Sequence, residues 1–125
     1  MSVKIEYNNE KKALYVTLNG QVSIEEFSKT IIEVAENKNF SPDIRTLVDI
    51  RELDFSEINA DFLKELISLE KKNTKRINTK VAYIANTDIS FGMSRMYQTL
   101  SDELPKTSII FRDYSEGERW LLNEI

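Results

Sequence analysis

Residues 81–85 read Val81-Ala82-Tyr83-Ile84-Ala85, and residues 46–50 read Thr46-Leu47-Val48-Asp49-Ile50. Both are short, nearly continuous apolar runs. Such runs mark strands covered on both faces, as in the interior of a parallel sheet. Between them Ile58, Phe62, Leu66 and Leu69 fall on one helical stripe, with Leu63 and Ile67 beside it. This helix is expected to fade near Asn73-Thr74. Strand, helix, strand in that order predicts a parallel pair with a right-handed crossover.

The pattern extends outward on both sides. After the 81–85 strand, Asn86-Thr87-Asp88 can cap a helix. Met93, Met96, Tyr97, Leu100 and Leu104 then read as one helical face that ends at Pro105. Ser108-Ile109-Ile110-Phe111 is a further strand. Ser115-Glu116-Gly117-Glu118 reads as a capping box opening a last helix with Trp120, Leu121 and Ile125. Toward the N-terminus, Ser23-Ile24-Glu25-Glu26 is a capping box, followed at helical spacing by Ile24, Phe27, Ile31, Val34 and Ala35. Before it, Val3, Ile5 and Tyr7 alternate with Lys4 and Glu6, while Leu14, Val16 and Leu18 alternate with Tyr15 and Thr17. The polar turn 8–12 joins these two as an antiparallel hairpin. The expectation is one α/β domain over residues 1–125, ordered β-β-α-β-α-β-α-β-α. Its five-stranded, mostly parallel sheet has an antiparallel N-terminal edge strand, with helices packed on the sheet.

Composition narrows the function. The chain has 125 residues, 41% hydrophobic and 30% charged, an ordinary globular balance. Its 17 basic and 21 acidic residues give a net charge of −4. That argues against general binding to nucleic acid or to anionic membranes, which need a surplus of Lys and Arg. Lys71, Lys72, Lys75, Arg76 and Lys80 crowd one stretch, read as a solvated helix end. There is no Cys and no His, so thiolate chemistry, Cys or His metal ligation and a Ser-His triad are excluded. No Gly-rich phosphate loop and no EF-hand spacing occur. No cofactor is expected, and catalysis is not. With no apolar run long enough for a membrane span and no signal-peptide pattern at residues 1–6, a cytoplasmic location is the default.

In open parallel sheets, ligands bind beyond the carboxyl ends of the strands. There the candidates for a ligand or partner surface are Asp49, Arg51, Ser56, Asn59, Thr87, Asp88, Ser90 and Met93. Ser, Thr, Asp and Asn at helix starts are usually caps. Asp49, inside an apolar strand, needs a partner, and Arg51 lies two residues on, on the same face of an extended chain. Phe91-Gly92 reads as a looser turn that would open a pocket between its helix and the one at 58–73.

The chain resembles the SpoIIAA-like superfamily, which includes STAS domains and CRAL-TRIO lipid-binding modules. The resemblance is strongest to small stand-alone bacterial proteins of that fold. Gly20 after the second strand, Leu47-Val48-Asp49-Ile50, Lys80-Val81-Ala82, Phe111-Arg112-Asp113 and Glu118-Arg119-Trp120-Leu121 carry it. It implies a βα superhelix and a role in partner switching or ligand binding. The phosphorylatable Ser of STAS domains has no counterpart in Ser56-Glu57-Ile58-Asn59-Ala60, so the phosphoswitch is not carried over.

Three functions follow, in order of expectation. The first is a non-catalytic regulatory or protein-interaction module. The second is a binder of a small apolar ligand or lipid, with a cavity lined by Phe62, Leu66, Met93, Met96 and Tyr97. The third is an enzyme using carboxylates such as Asp49, Asp54, Asp88 and Asp113, with or without a metal. A homodimer through the hairpin edge at Val3–Tyr7 is compatible with all three.

Overall fold

The computed structural model describes residues 2–73 and 79–123. Its elements are β1 (Val3–Asn8), β2 (Ala13–Gly20), α1 (Ile24–Glu36), β3 (Arg45–Leu53), α2 (Ala60–Asn73), β4 (Thr79–Ile84), α3 (Asp88–Leu100), β5 (Lys106–Phe111) and α4 (Tyr114–Leu121). The strands lie in chain order in one sheet, β1-β2-β3-β4-β5. β1 is antiparallel to β2, and the remaining pairs are parallel. The expected order and sheet are therefore observed.

Strand order decides where the helices go. Successive right-handed crossovers that always step to the next strand place their helices on the same face. Residues of α1, α2 and α3 accordingly pack with Leu14, Val16, Leu18, Ile50 and Tyr83 of one face. That leaves the other face to α4, whose Leu121 and Trp120 pack with Ala13, Leu47, Ala82 and Ile84. The last helix comes close because its contact residue is Gly117. A Cβ there would stand 2.4 Å from Ile84 Cδ1 and 3.3 Å from Phe111 Cδ2.

The residues that carried the family resemblance hold α4 in place. Lys80 Nζ donates to Trp120 O (2.5 Å) and Asn123 Oδ1 (2.7 Å), and lies 4.4 Å from the Trp120 ring centre. Arg45 donates to Leu121 O. Both cations therefore sit at the helix C-terminus, where exposed carbonyls favour positive charge. Lys80 is thus part of β4 and not of a solvated helix end. Lys71 and Lys72 do lie in the exposed last turn of α2, Lys71 paired with Glu103 at 2.6 Å. Lys75 and Arg76, like Ile125, fall outside the described residues.

Local signals set most helix starts. Ser23 Oγ accepts from Glu26 N–H, and Glu26 returns the bond to Ser23 N–H. Thr87 and Ser90 form the same reciprocal pair at α3. At α4 the expected cap is wrong by two residues. Asp113 accepts from Glu116 N–H at 3.1 Å, and Ser115 already lies in the first turn. A carboxylate beside the helix N-terminus outcompetes the hydroxyl as acceptor. Gly20 has φ +69°, a left-handed value that glycine adopts without a Cβ penalty. Its carbonyl accepts from Asp54 N–H at 2.9 Å, tying the ends of β2 and β3 together. The outer hairpin edge carries the Lys4–Glu6 ion pair at 2.7 Å, which guards β1 as charged edges do.

α3 differs from its expected packing. The helix ends at Leu100 with Ser101 as its C-cap, before Leu104 and Pro105. Its buried face is Ser90, Ser94 and Tyr97, while Met96 and Leu100 are exposed. The inward stripe is made of small serines, so it escapes a reading based on hydrophobicity. Those serines let α3 lie close to the sheet. Phe91 N–H donates to Thr87 O in a regular first turn, so no loosened turn opens there.

Candidate functional site

α1 is strongly amphipathic, yet none of its residues is fully buried. Its nearest backbone neighbour is α2, and neither helix lies close against the strands. Their backbones stand off the sheet, and between their side chains and the strands lies an apolar cavity of about 220 Å³ that opens to solvent. Its floor is Leu14, Val16, Val48, Ile50 and Val81. Phe27, Ile31 and Val34 of α1 and Phe62 and Leu66 of α2 form the roof, and Met93 and Tyr97 of α3 form a wall. Phe27 and Phe62 meet edge to face with ring centres 5.7 Å apart.

The walls also carry hydroxyls, but those are directed into the backbone. Thr30 donates to Glu26 O, Thr46 to Ile44 O, Thr79 to Pro42 O and Ser94 to Ser90 O. At one end the lining becomes polar. Glu70 (α2), Tyr83 (β4), Tyr97 (α3) and Lys106 (β5) converge there. Lys106 Nζ donates to Tyr97 Oη (2.5 Å) and Tyr83 Oη (2.9 Å), and lies 3.4 Å from Glu70 Oε2. Tyr97 Oη in turn donates to Glu70 Oε1 at 2.5 Å. The ammonium also lies 4.6 Å and 5.6 Å from the Tyr97 and Tyr83 ring centres, within cation–π range. Lys106 and Glu70 side chains are only 13% and 19% exposed. The charge at this end is therefore one largely buried cation matched by one largely buried anion.

The environment favours the protonated forms of Tyr97 and Lys106. Burial, then Tyr83 and Glu70 alongside, push the Tyr97 phenol well above its usual value. Burial alone would lower Lys106, but Tyr83 and Glu70 outweigh it and the net direction is up. Elsewhere, burial and donation to Glu118 raise Tyr15, and burial with Glu118 and Asp49 nearby raises Tyr114. In each case the fold holds a proton that the unfolded chain releases at lower pH. Above pH about 10 the native state therefore binds more protons than the unfolded one, and stability must fall as pH rises. The urea midpoint should stay flat from about pH 7 to 9 and decline above about pH 10. Phenolate absorbance at about pH 11 should show fewer ionised tyrosines in the folded chain than in denaturant. Equal ionisation in both states would refute this.

The residues picked from sequence are distributed differently. Of the eight, Met93 lines the cavity. Asp49 and Arg51 face the opposite side, under α4. Arg51 Nε and Nη2 donate to the two Asp49 oxygens at 2.9 and 2.8 Å, with the guanidinium 5.2 Å from the Tyr114 ring centre. Asn59 caps α2 by accepting from Phe62 N–H, and Thr87 and Ser90 cap α3. Ser56 N–H donates to Asp54, and its hydroxyl accepts from Gln21. Asp88 pairs with Arg112 on the surface at 3.1 Å. Among the described residues no three carboxylates gather closely enough to hold a metal ion. No helix among them is long and apolar enough to cross a membrane. The expected cavity residues Phe62, Leu66, Met93 and Tyr97 do meet, but Met96 is 40% exposed on the outer side of α3.

Glu70, Tyr83 and Lys106 were missed. One signal for them existed: a Tyr in an apolar strand and another on a core-facing helix each need a polar partner for the hydroxyl.

This architecture, with three crossover helices on one sheet face and a closing helix on the other, defines a SpoIIAA-like α/β fold. An uncharacterized protein of the DUF3478 family with a SpoIIAA-like fold, from Shewanella loihica PV-4, has a similar structure. Its TM-score is 0.62 at 21% identity, over 95% of this chain and 91% of that one. No protein-family model matches the sequence, and no curated protein is significantly similar to it.

Proposed function

We propose that this protein is a non-catalytic, STAS-like binding module that takes up a small apolar ligand between its sheet and helices α1–α3. The cavity carries the proposal. Protein interiors are packed as densely as organic crystals, with few voids larger than a water molecule. An apolar cavity of roughly 150 Å³ suffices to bind benzene, and the cavity here is about 220 Å³. Fully closing it would bury the apolar face of α1, so the stand-off forgoes stabilisation that the sequence has available.

Protein recovered from native cells should carry a small molecule that native mass spectrometry detects and organic extraction releases. Saturation with naphthalene should raise Tm of the extracted protein, since a ligand that binds only the folded state stabilises it. Bare protein with no rise in Tm overturns the reading.

Protein interaction is a second reading. Ile89 is 70% exposed and shares the outer side of α3 with Met96 and Leu100. Such grouped apolar exposure marks contact surfaces. This reading fails if Ile89→Glu leaves every association of the protein in native extracts intact.

A further inference from the structure

We infer that the cavity's ligand is an uncharged amphiphile, with an apolar body of about ten carbons and a single hydroxyl head seated at Glu70 and Tyr83. This rests on the proposed binding function and adds the ligand's chemical class.

Size sets the body. Scaling from the roughly 150 Å³ that takes a six-carbon ring, the 220 Å³ available here fits two fused rings or an equivalent branched chain. A full-length lipid tail would extend out of it into solvent. The walls offer no free hydroxyl proton along the body, because the lining hydroxyls of Thr30, Thr46, Thr79 and Ser94 already donate to backbone carbonyls.

Charge and hydrogen-bond valence set the head. Lys106 directs its ammonium at Tyr97, Tyr83 and Glu70. Its three protons are therefore committed, and it offers none to an incoming anion. The ammonium and the Glu70 carboxylate balance each other, so a carboxylate or phosphate would add an unmatched buried charge. A cationic head would do the same with the opposite sign.

Unused capacity remains on two groups. A carboxylate can accept about four hydrogen bonds. Glu70 receives one from Tyr97 and a long one from Lys106. Tyr83 Oη accepts from Lys106 and lies on the cavity lining, and its proton, turned toward Tyr97, can turn instead toward a ligand oxygen. A hydroxyl head does both jobs: it donates to Glu70 and accepts from Tyr83. A hydrocarbon does neither, and a ketone only the second.

The test compares naphthalene, 2-naphthol and 2-naphthoate, three probes with one ring system, by calorimetric titration at about pH 7, where naphthol is neutral and naphthoate is charged. One well-formed hydrogen bond to a charged acceptor is worth about tenfold in affinity. 2-Naphthol should therefore bind about tenfold or more tightly than naphthalene, and naphthoate no better than naphthalene. Tyr83→Phe and the paired variant Glu70→Leu with Lys106→Met should each shrink the naphthol preference severalfold while naphthalene binding persists. A purely structural role for the cluster would leave that ratio unchanged. Equal binding of naphthol and naphthalene, or a preference for naphthoate, overturns the head-group assignment but leaves the cavity's function standing. Failure of all three probes to bind overturns both.

Discussion

Lys106→Met lowers stability by about 3 kcal/mol, and adding Glu70→Leu to it restores most of the loss. The reason is the asymmetry of buried charge. The Lys106 and Glu70 side chains are 13% and 19% exposed, on β5 and α2. Together they neutralise each other, and Tyr97 and Tyr83 complete the hydrogen bonding. Removing the ammonium alone leaves a poorly solvated carboxylate without a counter-charge, hydrogen-bonded by the Tyr97 phenol. Removing both charges and filling the space with apolar atoms is close to neutral, since paired buried charges roughly break even against hydrophobic replacements. Urea unfolding of the two single variants and the double variant gives the coupling directly, with an unchanged m-value confirming one folded state. A Lys106→Met loss under about 1 kcal/mol, or strict additivity in the cycle, would show the cluster to be screened by solvent.

Gly117→Val costs about 3 kcal/mol, and Gly117→Ala about 1 kcal/mol. Gly117 is the point where α4 touches the sheet. The first added carbon meets Ile84 Cδ1 at 2.4 Å, and Ile84 is fully buried. The methyl must rotate into filled space, or α4 must lift and take Leu121 and Trp120 with it. Alanine recovers part of the strain through its better helix propensity, worth about 1 kcal/mol over glycine. The control is Gly92 in α3. A Cβ there meets nothing within 4 Å, so Gly92→Ala should stabilise the protein by about 0.5–1 kcal/mol. Thermal melts of the three variants check the pattern. Equal effects at positions 92 and 117 would mean that α4 is not closely seated.

The sequence by itself determined whatever depends on neighbours a few residues away. Alternation at Val3–Tyr7 and at Leu14–Leu18, the apolar runs at 46–50 and 81–85, and the reciprocal caps at Ser23 and Thr87 are local, and they specified the strands, helices and parallel order. The Asp49–Arg51 pair was legible for the same reason, being two residues apart on one strand face. Only the tertiary structure decided how far α1 and α2 stand from the sheet. Amphipathicity says which face points inward and nothing about whether that face meets other atoms or empty space. Nor does anything local distinguish Glu70 from the exposed Lys71 and Lys72 beside it, or Lys106 from an ordinary residue after Pro105. Their partners come from four separate elements that only the wound sheet brings together. The scaffold was written in short-range pattern, and the site arises from long-range closure, where volume and charge are settled jointly by residues far apart in the chain.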